Sequence, residues 1–151
     1  MMYKMIVSAV RRHLEETLPL VKQLTEVNVM SRPIDGGREI GEVVLHLVRS
    51  LEYYLKGITT SQWEPPPYFL ETYDSAESII ELTEKVFKQA KVYTSLISTS
   101  DLGRKIESFN RPTTVAELIL EMIEHSIHHR GQITVYYRHL GVDPTPIPYI
   151  I

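Results

Sequence analysis

Histidines are the residues in this sequence most able to do chemistry, and three of them fall in one short segment. Residues 124–132 read Glu-His-Ser-Ile-His-His-Arg-Gly-Gln. On a helix, side chains four residues apart differ by about 40° in azimuth, so His125 and His129 point the same way. Two imidazoles placed like this can bind one metal ion, each nitrogen about 2.0–2.1 Å from it. His128 lies on the other flank of the same stripe, so the spacing alone permits either pair.

A third ligand has to come from another element, and His46 is the natural candidate. It lies in the apolar stretch 43–48, where an unpaired imidazole would be unfavourable. Ordinary alternatives exist, because a single histidine on an apolar helix is more often a core residue than a ligand, and His-x-x-x-His pairs arise by chance. The pair also lacks the glutamate of HExxH metalloproteases, since Ser126, Ile127 and His128 stand between its histidines.

A site made of three neutral imidazoles would leave a coordination position open for water or substrate, which is typical of catalytic metal sites. A metal ion can lower the pKa of a bound water or thiol. We therefore expect a metal-dependent transferase or hydrolase, although no catalytic residue can be named. Helical spacing offers only candidates for helper groups near the ligands. Gln132 and Tyr136 follow His129, and Glu42, Arg49, Ser50 and Tyr53 flank His46.

The competing hypothesis is a dimeric helical bundle without enzymatic activity, in which the metal or the histidine cluster is structural or binds a small ligand. A structural site would be closed by four protein groups, whereas a catalytic site would lie at the floor of a solvent-open pocket. A simple helical interaction module, as a third possibility, would bind no metal.

The other two histidines are expected to be structural. His13 flanks the apolar stripe of the first predicted helix, so we expect it to be partly exposed. His139 lies about 21 Å beyond His125 along the helix axis, too far to bind the same ion. A cation at the end of that helix would be favoured by the helix dipole.

Helical periodicity predicts four helices that would position these histidines. The first covers residues 3–26, and Pro19 is expected to kink or divide it. The second covers about 39–56 and carries His46, with Gly57 in the place of a C-terminal cap.

The third and fourth helices are predicted over about 74–97 and 114–140. Gly141 follows the fourth as its cap. Each opens with a capping box: Asp74 with Glu77, and Thr114 with Glu117.

The remaining segments lack a helical period, and none predicts a strand. The connection 59–73 contains Pro65-Pro66-Pro67 and is long enough to cross the bundle or cover a site. The tail from Pro144 is expected to be an extended strap. The sequence therefore predicts an all-α, single-domain protein over 1–151, a four-helix bundle whose long connection argues against simple up-down-up-down order.

The composition excludes several classes of protein. The 151 residues are 43% hydrophobic and 23% charged, as in ordinary globular domains. The absence of cysteine excludes disulfides and thiolate sites and agrees with a cytoplasmic location. The net charge of −3 argues against a nucleic-acid partner. No signal-peptide pattern and no membrane-spanning run are visible.

Three features occur together in this sequence: a histidine in the middle of the second helix, His46; the segment 125–132; and the ending 136–144, Tyr-Tyr-Arg-His-Leu-Gly-Val-Asp-Pro. In these features the sequence resembles the DinB/YfiT-like family of four-helix proteins. The resemblance covers almost the whole chain in length and helix order.

The resemblance implies more than the residues alone. It selects His129 rather than His128 as the partner of His125, and it implies that these two and His46 bind one divalent metal ion, zinc or nickel. It also implies up-down-down-up helices, homodimers, and a small-molecule substrate. Some members of the family use a low-molecular-weight thiol as co-substrate, so the resemblance makes such a thiol a candidate.

Overall fold

The computed structural model describes residues 1–107 and 111–147, and four long helices dominate them. They are α1 (Met2–Lys22), α2 (Ile40–Thr60), α3 (Ala76–Leu96) and α4 (Val115–His139). Short 3-10 helices follow α1 at Gln23–Glu26 and α3 at Thr99–Asp101. Two very short strands, β1 (Lys105–Ile106) and β2 (Thr113–Thr114), pair antiparallel just before α4. The predicted all-α four-helix bundle is confirmed.

Contacts between helix ends show that the four helices run up-down-down-up. α4 is parallel to α1, because Tyr137 near the end of α4 donates its hydroxyl to the carbonyl of Leu20 near the end of α1. α3 is antiparallel to α1, because Lys22 at the end of α1 pairs with Glu84 in the first half of α3 at 3.2 Å. The helix order that the resemblance implies therefore holds for these three.

α2 runs opposite to α4. Arg104, just before β1, donates to the carbonyl of Ile58 near the end of α2 at 2.7 Å. The carbonyl of Arg104 accepts in turn from Val115, the first residue of α4, at 3.0 Å. α2 and α3 are consequently parallel, and the connection 61–75 has to run back along the bundle.

This returning connection, which we call the crossover, is fixed along α2. At its start Trp63 packs on Gly57, where any side chain would overlap the indole ring. At its far end Leu70 lies so close to Gly41 that a Cβ there would stand 2.8 Å from Leu70 Cδ2. Both glycines are buried in α2 and allow the crossover to approach its backbone. The long proline-bearing segment is thus an ordered cover on α2.

The prediction that Gly57 caps α2 was wrong. The helix continues to Thr60, and its C-cap is Ser61 with φ of 60°, in the left-handed region. In a sequence, a glycine that ends an amphipathic helix cannot be distinguished from a helical glycine that leaves space for a neighbouring side chain. Gly57 leaves space for the indole ring of Trp63.

Two further helix-end predictions differ from the structure. α1 is continuous through Pro19, and only after Lys22 does the backbone tighten into a 3-10 turn. α3 is capped by Ser75, whose hydroxyl accepts from the backbone of Ser78 at 3.1 Å, so the predicted Asp74 cap lies one residue early. Two adjacent residues both able to cap explain the shift.

Other predicted ends are confirmed. Thr114 and Glu117 form the capping box of α4, with the carboxylate accepting from the Thr114 amide at 2.7 Å. Gly141 has φ of 78° just beyond the helix. The apolar stripe at helical spacing in the first predicted helix is buried in the core, and it consists of Ile6, Val10, Leu14, Val21 and Leu24.

The segment before α4 departs from the prediction, since β1 and β2 were not expected. A pair of two-residue strands is too short to produce a period in the sequence. Residues 144–147 form neither helix nor strand, and Gln23 anchors them by accepting from the Thr145 amide at 2.8 Å. The rest of the tail prediction, 148–151, lies outside the described residues. Within the described parts of the chain, none of the helices is long and apolar enough to cross a membrane.

Candidate metal centre

His46 on α2 and the pair His125 and His129 on α4 meet where the two helices pack together. One ring nitrogen from each histidine lies within 4.8 Å of the other two. The ring centroids are 4.5–5.0 Å apart, and all three pairs meet edge to face. Nε2 of His46 is 3.1 Å from Nε2 of His125. The structure therefore brings together the three histidines that were predicted as ligands.

The remaining histidines lie outside this cluster. His128 is exposed, and its ring centroid is 5.0 Å from that of His129, on the solvent side. His139 is exposed at the end of α4. The expected partial exposure of His13 was wrong, because its side chain is only 2% exposed. It packs against the buried Arg130, with Nδ1 3.4 Å from Nη1, a contact across two helices that helical spacing could not show.

Burial keeps the clustered imidazoles neutral. It lowers the pKa of His46 and of His125 to about 4, helped by neighbouring histidines and by the positive charge of Arg38. It also lowers the pKa of His129, although the hydrogen bond that His129 donates to Gln132 acts in the opposite direction. A neutral imidazole has a free nitrogen lone pair, which is the form that binds a metal ion. All three side chains are in this form at neutral pH.

Gln132 fixes the orientation of His129. Its Oε1 accepts from His129 Nδ1 at 2.9 Å, and its Nε2 donates to the Tyr136 hydroxyl at 3.3 Å. An amide oxygen can only accept, so Nδ1 carries the proton and Nε2 carries the lone pair. Hydrogen bonds of this kind are typical around metal-binding histidines. Gln132 and Tyr136, two of the candidate helpers, thus lie behind His129.

The surroundings of His46 are different. Nη2 of Arg49 lies 3.3 Å from His46 Nδ1 and 3.1 Å from a carboxylate oxygen of Glu42. A guanidinium can only donate, so this contact favours the His46 tautomer with its proton on Nε2. That proton then points to His125 Nε2, and the buried Nδ1 of His125 has no hydrogen-bond partner within the described residues.

A solvent-open cleft of about 240 Å³ begins at His46. It is lined by the other three candidate helpers on that side of α2 and by one residue of the crossover: Arg49, Ser50, Tyr53 and Pro65. His46 thus connects the histidine cluster to a solvent-open cleft that carries two hydroxyl groups.

Arg38 is a functional candidate that helical spacing missed. Its charge acts on all three clustered histidines, yet it precedes α2 and belongs to no helical stripe. The preceding residue, Gly37, lies so close to Tyr136 that a Cβ there would stand 2.6 Å from the hydroxyl oxygen. Arg38 forms no hydrogen bond or ion pair within residues 1–107 and 111–147. An unpaired guanidinium beside the cluster would attract an anion.

The donor set itself fits a divalent transition metal. Three neutral imidazoles converge, and the 3.1 Å between two Nε2 atoms is close to the separation of two nitrogens that each lie about 2.0–2.1 Å from one ion. Imidazole ligands suit zinc, nickel and copper, whereas magnesium and calcium prefer oxygen ligands.

The fold and the site together define a class of protein: an up-down-down-up bundle with a three-histidine cluster between its second and fourth helices. The sequence pattern of the DinB superfamily matches residues 9–133, so the chain belongs to the DinB superfamily. The resemblance seen in the sequence is confirmed.

Two comparisons point to the same Bacillus subtilis protein, YjoA. The YjoA sequence of strain 168, described as an uncharacterized protein, is 24% identical over 145 residues, covering 93% of this chain and 92% of YjoA. A crystal structure of YjoA, described as a DinB-like protein, aligns with a TM-score of 0.78 and 22% identity, covering 95% of this chain and 96% of that chain. The structural likeness supports the fold.

Proposed function

We propose that this protein is a divalent-metal-dependent enzyme whose ion is held by His46, His125 and His129. The observation that carries the proposal is the convergence of three neutral imidazoles at the edge of a solvent-open cleft. With no carboxylate in the set, zinc or nickel is the expected ion. Three protein ligands also leave room for a further, exchangeable one.

The reaction we propose is transfer or hydrolysis on a small molecule. A bound divalent ion would supply Lewis acidity, which makes a thiol or a water a nucleophile at neutral pH. The protein would position the substrate: Ser50 and Tyr53 offer hydroxyl groups in the cleft, and Arg38 attracts a negatively charged part of the substrate. A low-molecular-weight thiol that carries a carboxylate would supply both the nucleophile and the negative charge.

Arg49 has a role in this proposal that follows from its position. Binding through Nε2 of His46 places the ring proton on Nδ1, which now faces a guanidinium that cannot accept it. Arg49 is already paired with Glu42, so it can turn towards that carboxylate and leave Nδ1 to solvent or to Glu42 itself. Glu42 and Arg49 would thus set the protonation of His46, as Gln132 sets that of His129.

Metal content of untagged protein tests the site. We expect about one zinc or nickel ion per chain, by elemental analysis, in the wild type and in the control variants His128→Ala and His139→Ala. The variants His46→Ala, His125→Ala and His129→Ala should lose it while keeping their helical circular dichroism. Metal-free wild type that stays empty after reloading would refute the proposal.

A non-enzymatic site is the second candidate, and one observation favours it. Glu42, the carboxylate nearest to His46 along α2, is held by Arg49 at 3.1 Å and is not available as a general base. A screen of thiol-transfer and hydrolysis reactions with the metal-loaded protein separates the two. Turnover that disappears in His46→Ala supports the enzyme, whereas metal-dependent binding of small molecules without turnover supports a binding protein.

The cytoplasmic location, the lack of a nucleic-acid partner and the homodimer stay predictions. Each rests on the composition or on the resemblance.

A further inference from the structure

A second cavity, of about 240 Å³ and partly open to solvent, lies between α1 and α3. Val7, Val10 and Leu14 of α1 line one side of it, and Thr94 and Ser95 of α3 line the other. Val10 and Leu14 are almost completely buried. Among the described residues, none of those that line this cavity belongs to the histidine cluster or its cleft, so the cavity is separate from the candidate metal centre.

The cavity arises because the inward residues of α3 become smaller towards its C-terminal end. Leu82, Val86 and Phe87 are buried earlier in the helix, and Ala90 and Thr94 are buried after them. Protein interiors are normally filled to high density. The small side chains at the end of α3 leave space against α1 that larger apolar residues would fill.

The two hydroxyl groups in the wall are already used by their own helix. Thr94 Oγ1 donates to the carbonyl of Ala90 at 2.7 Å, and Ser95 Oγ donates to the carbonyl of Val92 at 2.7 Å. A hydroxyl has a single proton to donate, and an ordered water needs about two to four polar partners. The interior of the cavity therefore suits an apolar occupant better than it suits water.

Positive charge lies at the mouth of the cavity. Arg11 and Lys91 line it and are exposed, and no acidic residue of the described chain lines it. The ion pair of Arg11 with Glu15 is long, with Nε 3.9 Å from the carboxylate oxygen. Lys91 forms no hydrogen bond or ion pair with any residue that the structure describes. Two cations beside an apolar interior are complementary to a molecule with an apolar body and one negative end.

The size of the cavity limits the length of that body. An apolar cavity of about 150 Å³ holds benzene, and drug-sized ligands occupy about 300 Å³ or more. Val7 and Leu14 are seven residues apart, so the cavity extends about 10.5 Å along α1. This length in so small a volume suits one unbranched chain of roughly eight to ten carbon atoms.

We propose that the cavity between α1 and α3 binds a medium-chain fatty acid as its carboxylate. The hydrocarbon chain lies against Val10 and Leu14, and the carboxylate lies at the mouth between Arg11 and Lys91. The proposal uses no residue of the histidine cluster and does not depend on the proposed function.

Chain length tests the apolar part of the site. In titration calorimetry octanoate should bind the wild type about 15-fold more tightly than hexanoate, because each added methylene that is buried strengthens binding about fourfold. Octanoate that does not bind, or that binds no more tightly than hexanoate, would overturn the proposal.

Charge removal tests the mouth. The double variant Arg11→Gln/Lys91→Gln should bind octanoate on the order of tenfold more weakly and should bind octan-1-ol, which has no charge, as the wild type does. The matched control Arg12→Gln/Lys88→Gln removes two exposed charges from the same helices outside the cavity and should leave both affinities unchanged. Equal octanoate affinity in the two double variants would contradict the assignment of the carboxylate.

Filling the cavity tests its location. Thr94→Leu should lose binding of both octanoate and octan-1-ol while it keeps its helical circular dichroism, and His46→Ala should bind both as the wild type does. Octanoate binding that persists in Thr94→Leu, or that is lost in His46→Ala, would place the ligand elsewhere and refute the proposal. The charge variants alter only exposed side chains, so they decide the question even if Thr94→Leu does not fold.

Discussion

At the residue scale, two of the three clustered histidines are each oriented by one neighbouring side chain. Gln132 accepts the Nδ1 proton of His129, and Arg49 faces Nδ1 of His46. For the proposed metal site, the first contact would prepare a ligand, whereas the second would have to rearrange before His46 could bind an ion through Nε2. We therefore expect His129 to be the pre-organised ligand and His46 the adaptable one.

Gln132→Leu should weaken zinc affinity by about 10–100-fold, because His129 loses the acceptor that fixes its ring and tautomer. Gln132→Glu, which still offers an acceptor, should largely retain it. Isothermal titration of metal-free protein measures both, with Gln89→Leu on the exposed face of α3 as the control. Unchanged affinity in Gln132→Leu would contradict the role assigned to this hydrogen bond.

His13 should make stability depend on pH. Burial, followed by the nearby charge of Arg130, lowers the pKa of His13 to about 4, whereas an unfolded histidine titrates near 6.5. As the pH falls from 6.5 towards 4 the unfolded chain takes up a proton that the folded His13 does not. The free energy of unfolding should therefore fall across this window, by at most about 3 kcal/mol from this residue.

Urea unfolding of wild type and His13→Gln between pH 7 and pH 4 measures this contribution. The variant should lose less stability than the wild type over the same range, whatever its stability at pH 7. Equal losses in the two proteins would show that His13 does not contribute.

At the scale of elements, the surface of α2 is shaped to pack against the crossover. It returns along α2, covers Gly57 with Trp63, and supplies Pro65 to the wall of the cleft. Tyr68 and Glu52 join its middle to α2 through a hydrogen bond. A change in how the crossover packs on α2 should therefore alter the shape of the cleft beside His46.

Gly57→Ala should displace Trp63, because a methyl group would overlap its ring. Overpacking of this kind typically costs about 1–3 kcal/mol. Trp63 is the single tryptophan of the chain, so its emission should shift to the red as the ring becomes exposed. Gly103→Ala is the control, because a Cβ there meets no other atom. Unchanged emission in Gly57→Ala would mean that the indole tolerates the methyl.

The sequence predicted those features that depend on local spacing. The four helices, the Thr114 cap and the alignment of His125 with His129 follow from the helical period. Spacing left two pairs open on α4, and only the resemblance and then the packing of α2 against α4 distinguished His129 from His128. Features that depend on another element were missed or misjudged.

His13 illustrates this limit. Its spacing places it beside the apolar stripe of α1, but in the structure it is buried in contact with Arg130 of α4. Gly57 and Arg38 are similar, since their roles depend on Trp63 and on the histidine cluster. A contact between distant parts of the chain leaves no periodic signal in either part.

At the scale of the whole molecule, the cluster joins two helices that are far apart in sequence. His46 and His125 are separated by 79 positions, and neither helix alone provides all three histidines. An ion bound there would hold α2 to α4 in the folded state only, so metal binding should stabilise the entire bundle.

Adding zinc at about 100 times its dissociation constant should stabilise the metal-free protein by about 2.7 kcal/mol, which raises Tm by about 5–10 °C in a chain of this size. Calorimetric scans with and without zinc measure the shift. His46→Ala should show none, and His128→Ala should show the full increase. A similar shift in both variants would indicate binding outside the cluster.

The order of the helices along the chain also determines when the cluster can exist during synthesis. A ribosome adding about 5–20 residues per second needs about 4–16 s to pass from His46 to His125. During that interval α2 lacks α4 as a packing partner, and its apolar residues are open to chaperones. Binding of the proposed ion would thus have to follow translation of α4, and a product interrupted before residue 125 would lack the complete cluster and be incompletely packed.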